Sequence, residues 1–114
     1  MIFEAMAVGS YMSNCYIVGS AISKEAAIID PGADFKSIDN KINELGLKPK
    51  IILLTHAHGD HIGAVAELVE KYNIPVCIHE DDAEALADSN SNFSKVLFRK
   101  DLSLNPDKKL RDGD

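Results

Sequence analysis

Hydrophobic and polar positions change period along this chain, and the change separates two kinds of structure. Residues 2–8 and 14–19 read as two strands separated by a polar Ser/Asn segment. Ala26-Ala27-Ile28-Ile29 reads as a third strand, stopped by the turn cluster Asp30-Pro31-Gly32. Short strands at close spacing predict an antiparallel meander. Phe35, Ile38, Ile42 and Leu45 then fall at helical spacing, with Asp34 placed to cap the start and Gly46 to end it. Asp39 and Glu44 lie on the polar face of that helix, where solvation is expected. The apolar run Ile51-Ile52-Leu53-Leu54 predicts a buried strand. Ile62, Val65, Ala66, Leu68, Val69 and Tyr72 form the stripe of a second helix, beginning at or just after His61. Val76-Cys77-Ile78 reads as a short strand ending at His79, and residues 80–88 as a short acidic helix. Residues 89–92 read as a loop and 93–98 are ambiguous. The polar stretch 99–114 ends on Asp112-Gly113-Asp114, the composition of a hairpin turn.

Strands first, then helix and strand in alternation, predict an α/β domain over residues 1–114, a mixed sheet with helices on one face. A single helical layer leaves the other sheet face without cover. Exposed apolar faces favour association, so a homodimer closing over that face is the expected protein partner.

Composition narrows the classes of function. With 46% hydrophobic and 26% charged residues among 114, the chain has the make-up of a soluble globular protein. A net charge of −6 without a basic stripe argues against nucleic acid and anionic membranes as partners. The start Met1-Ile2-Phe3-Glu4 does not resemble a secretory signal, and no apolar run approaches membrane-spanning length. Cys15 and Cys77 lie far apart among apolar neighbours, as core thiols in a reducing cytoplasm would.

The chemistry concentrates in Thr55-His56-Ala57-His58-Gly59-Asp60-His61, directly after the buried strand. Residues two apart in an extended segment point to the same side, so His56 and His58 can reach one cation. Gly59 lets the backbone turn and re-aim Asp60 and His61, a hard oxygen and a further nitrogen, toward a second. Paired metals share a hydroxide and polarise a carbonyl, so no nucleophilic Ser or Cys is needed. His79 is read as a surface or capping histidine. Tyr11 and Met12 are weaker candidates for a substrate groove.

The segment from Thr55 to Gly63 resembles the HxHxDH signature of the metallo-β-lactamase superfamily. Asn14-Cys15-Tyr16-Ile17-Val18 and Ile29-Asp30-Pro31-Gly32 are similar to entry segments of its glyoxalase II-like hydrolases. The resemblance implies the N-terminal half of an αββα sandwich with metal at its edge. It places His56 and His58 on a first metal, Asp60 and His61 on a second, and Asp30 behind the ligands as a steadying carboxylate. Asp60 would also orient the hydroxide. The metal would be zinc, one or two ions, with iron or manganese as alternatives. Family members carry a second half that supplies another His, a bridging Asp and a final His. The chain is therefore expected to be truncated at its C-terminus.

The implied activity is cleavage of a thioester or related ester of a small molecule. Two other readings stand beside it. One is a non-catalytic chain that binds metal weakly or dimerises through the uncovered sheet face. The other is an iron-dependent persulfide dioxygenase-like enzyme.

Overall fold

Six strands stand in the sheet in the order in which they occur in the chain: β1 (Ile2–Val8), β2 (Ser13–Gly19), β3 (Glu25–Ile29), β4 (Lys48–Leu54), β5 (Val76–His79) and β6 (Lys108–Leu110). The computed structural model describes residues 1–56, 59–88 and 106–111. β1–β2–β3 form the expected antiparallel meander, and β4, β5 and β6 add in parallel to β3. The sheet is therefore mixed, in an α/β arrangement.

Strand pleating sorts the side chains. Cys15, Ile17, Ala26, Ile28, Ile52, Leu54, Val76 and Ile78 lie in the buried core with Ile38 and Ile42 of α1 (Phe35–Leu45) and Val65 and Leu68 of α2 (Val65–Tyr72). The opposite face carries Phe3, Tyr16, Val18, Ala27, Ile29, Ile51 and Leu53, all partly or well exposed. Phe3, 58% exposed, stacks on Tyr16 across the β1–β2 pair at 5.6 Å between ring centroids. A shallow hollow of about 630 Å³ opens on this face between Val18, Ala27 and Ile51. It lies at the end of the strands remote from the histidines. Pro49 has no N–H to give the ladder, and the β3–β4 register shifts beside it, pairing Ala26 with Pro49 and Ala27 with Ile51.

Local signals set the helix ends. α1 stops at Gly46, in the left-handed region at φ 67°. The Gly46 N–H donates to the Asn43 carbonyl and the Leu47 N–H to the Ile42 carbonyl, which satisfies the last turn while Leu47 enters the core. At the other end Asp34 departs from the expected cap. Its backbone is left-handed at φ 57° and its side chain makes no capping bond; Oδ2 instead accepts the Gly9 N–H at 2.9 Å, tying the β1–β2 turn to the start of α1.

The second helix also begins later than its apolar stripe suggests. Residues Gly59–His61 form one 3-10 turn, and α2 starts only at Val65. Ala66 of the stripe is exposed. Residues 80–82 form a 3-10 turn leading into α3 (Ala83–Leu86). Two sequence expectations, a loop over 89–92 and the turn at 112–114, fall outside the described residues, as does the ambiguous stretch 93–98. β6 was not anticipated; it is held to β5 where Asp107 bonds through both its N–H and its carboxylate to Val76. Among the described residues, no helix is long and apolar enough to cross a membrane.

Asp39 is not merely solvated. The Tyr72 hydroxyl and the Lys71 ammonium both donate to its carboxylate, joining α1 to α2. Burial pulls the Asp39 pKa up, but these hydrogen bonds and the Lys71 charge outweigh it and hold the group below its ordinary 3.8. A folded pKa below the unfolded one means stability present above the unfolded value and lost as pH falls through the folded one. Asp39→Asn is expected to cost about 1–2 kcal/mol at neutral pH, and the gap to the parent should close in strong acid. Urea unfolding at both pH values checks this; a gap that survives in acid would show that the ionised carboxylate is not its source.

Candidate metal centre

β3, β4 and β5 run parallel, so their C-terminal ends share one edge of the sheet, where the chain leaves for loops. β2 runs antiparallel to β3, which brings its first residues to the same edge. Asp30 follows β3, Thr55 and His56 follow β4, and Asp60 and His61 lie in the 3-10 turn after them.

Two glycines make that edge close. A Cβ on Gly32 would sit 1.9 Å from the Asp60 carbonyl oxygen, and a Cβ on Gly63 2.1 Å from that of Gly32. The Asp30-Pro31-Gly32 turn and the 59–63 segment are thus in backbone contact, reinforced by the Ala64 N–H donating to the Pro31 carbonyl at 2.9 Å.

Asp30 is the pivot of the edge. It is 3% exposed and left-handed at φ 52°, a conformation Asp tolerates better than most residues. Oδ1 accepts the Thr55 N–H at 2.8 Å, and Oδ2 accepts the Thr55 hydroxyl. Oδ2 also lies 3.1 Å from His61 Nδ1. That nitrogen is buried and makes no aligned hydrogen bond, so proximity to the carboxylate supplies attraction without direction. His61 Nε2 is 3.4 Å from Asp60 Oδ2. The rings of His56 and His61 approach to 4.0 Å between centroids, and Thr55 Oγ1 is 2.9 Å from His56 Nδ1.

Asp30, His56 and His61 each offer a ligand atom, all within 4.8 Å of one another. Two imidazoles, one with a buried ring nitrogen that lacks an aligned partner, and a buried carboxylate form a donor set that suits zinc or iron. The structure thus groups His56 with His61 and brings Asp30 up to both. His58 lies outside the described residues. His56 itself falls past the end of β4, so the alternation of an extended strand does not govern its direction.

The remaining candidates have other roles or lack reactivity. His79 caps the turn after β5, its Nδ1 accepting the Asp81 N–H at 3.1 Å. Cys15 and Cys77 are free and buried. Burial, then the nearby Asp30 charge, push the Cys15 thiol up to about 12, and burial also raises Cys77. Both thiols are therefore poor ligands. Tyr11 and Met12 are exposed on the β1–β2 turn.

Two contributors were not singled out in the sequence. Thr55 belongs to the quoted motif but carried no role there; its hydroxyl and N–H hold Asp30. Ser13 is 7% exposed, and its hydroxyl donates to Asp60 Oδ2 at 2.7 Å. The signal for Ser13 was present: it shares the inward register of Cys15 and Ile17, and a polar side chain at such a position needs a partner.

Residues 8–114 match the metallo-beta-lactamase superfamily. Over 114 residues the chain is 40% identical to a probable metallo-hydrolase, YqgX, of Bacillus subtilis, covering all of this chain and 53% of that protein. Over 76 residues it is 37% identical to the hydroxyacylglutathione hydrolase GloC of Haemophilus influenzae, covering 67% of this chain and 35% of that one. The crystal structure of TTHA1623 in a di-iron-bound form superposes with a TM-score of 0.82 at 30% identity, covering 97% of this chain and 55% of that one. The chain spans about half the length, or less, of the curated relatives it matches.

Proposed function

Since this chain belongs to the metallo-β-lactamase superfamily of metal-dependent hydrolases, we propose that it serves cleavage of a thioester or related ester of a small molecule in the cytoplasm. The observation that carries the reading is the convergence of Asp30, His56 and His61 at the C-terminal edge of the parallel strands. The similarity to a hydroxyacylglutathione hydrolase supports a thioester as the substrate class. The likeness to a di-iron protein supports iron beside zinc as the metal. Two unpaired, buried cysteines suit a reducing compartment.

His56, His58, Asp60 and His61 would hold the metal. When bound, it supplies Lewis acidity toward a carbonyl oxygen and lowers the pKa of water. Asp30, fixed by Thr55, stands behind His61 and attracts its Nδ1 side. Asp60 would also orient the attacking water. The acidic balance of the chain leaves substrate attraction to the metal edge itself.

After dialysis against metal-free buffer, the purified chain is expected to retain about one to two equivalents of zinc or iron. Joined to a second half of the family's kind, it should hydrolyse an acyl-glutathione, with kcat/KM falling roughly 100-fold or more in His61→Ala. A chain that takes up no metal overturns the reading. Bound metal with no thioesterase activity overturns the substrate class alone.

A further inference from the structure

We infer that Ser13 is a positioning residue for the metal edge: its hydroxyl holds the Asp60 carboxylate through Oδ2 and so sets the aim of that side chain. The inference rests on the reading of Asp60 as a ligand. Ser13 opens β2 and pairs with Val8, so its backbone is fixed by the sheet ladder. The turn that precedes it is fixed as well. The Gly9 N–H donates to Asp34 Oδ2 at 2.9 Å, and a Cβ on Gly9 would meet that of Ala33 at 2.9 Å. The β1–β2 turn is therefore clamped to the segment that follows Asp30, and Ser13 reaches Asp60 from a rigid support.

A hydroxyl donating to a carboxylate at 2.7 Å makes a short, part-buried bond, its donor Ser13 only 7% exposed. Oδ2 also faces His61 Nε2 at 3.4 Å. The serine therefore holds Oδ2 beside the His61 ring, and the carboxylate cannot rotate away without losing that bond. Asp30, just past β3, approaches His61 Nδ1 at 3.1 Å without an aligned hydrogen bond, so Ser13 is the directional support of this turn.

The test is Zn²⁺ titration of the full chain, in competition with a chromophoric chelator, for the parent, Ser13→Ala, Ser13→Thr, Asp60→Asn and the Ser13→Ala/Asp60→Asn double variant. Thermal unfolding of each metal-free protein is followed in parallel. Ser13→Ala is expected to weaken zinc binding by roughly 10–100-fold, and Ser13→Thr, which keeps the hydroxyl, to recover most of it. In the Asp60→Asn background, Ser13→Ala should have no further effect on affinity. Parental affinity in Ser13→Ala, or an equal loss in both backgrounds, overturns the assignment while leaving the metal-hydrolase reading intact. A parent that binds no zinc overturns both. Should Ser13→Ala fail to fold, rescue of folding by Asp60→Asn supports action through the carboxylate. Persistent misfolding shows a packing role and overturns the assignment.

Discussion

Gly63→Ala is expected to destabilise the chain by about 3 kcal/mol or more, and Gly32→Ala by a similar amount. In both cases the added methyl meets backbone rather than a flexible side chain. The offending atoms are the Gly32 and Asp60 carbonyl oxygens, at 2.1 and 1.9 Å. The turn after β3 and the segment after β4 would have to separate. Both the Ala64-to-Pro31 hydrogen bond and the approach of Asp30 to His61 would suffer. Gly46→Ala is the informative control. Nothing lies within 4 Å of its added methyl, and only the left-handed φ of 67° is strained, so its cost should stay near 1 kcal/mol. Urea unfolding of the three variants separates collision from conformational strain. Equal midpoint shifts for all three would refute the proposed backbone contact.

The second large effect is expected at Asp30. Asp30→Ala removes the acceptor of the Thr55 N–H and hydroxyl at a place where water does not readily replace it. Alanine also tolerates the φ of 52° less well. The two losses together should cost about 2–4 kcal/mol in the metal-free chain. Separately, metal affinity should fall by roughly 10–100-fold, because His61 loses the carboxylate beside its Nδ1. Unfolding without metal reads the first effect and zinc titration of the folded fraction reads the second. Unchanged stability would remove Asp30 from its place as the pivot of this edge.

How much of this could be read from residues alone depends on the range of the interaction. The meander and α1 follow from local patterns held over several residues, and the strand before the histidines from a continuous apolar run. Local bonding does not override them. Gly46 was readable as a stop because the αL cap is a one-residue demand. Asp34 and Asp39 were misjudged because their partners, Gly9 and Tyr72 with Lys71, lie 25 to 33 residues away. β6 escaped because Lys108-Lys109-Leu110 is a charged, mostly exposed strand bonded to β5, without apolar alternation. At the site, the motif named His56, His58, Asp60 and His61, of which His58 lies outside the described residues, and the resemblance added Asp30. The supports from Thr55 and Ser13 are set by packing between strands, so only the folded chain displays them.

Strand order has a consequence for assembly. Each strand pairs with the one made just before it, so the sheet can grow at a single advancing edge as the polypeptide emerges. β1 and β2 close over a four-residue turn, and each later parallel strand needs a longer closure. Ser13 and Asp30 are therefore in place before Asp60 and His61 arrive to meet them. Asp30, His56, Asp60 and His61 have all been synthesised by residue 61, ahead of α2, β5 and β6. A cation captured at that stage would staple the first four strands together while the rest of the chain is still to come.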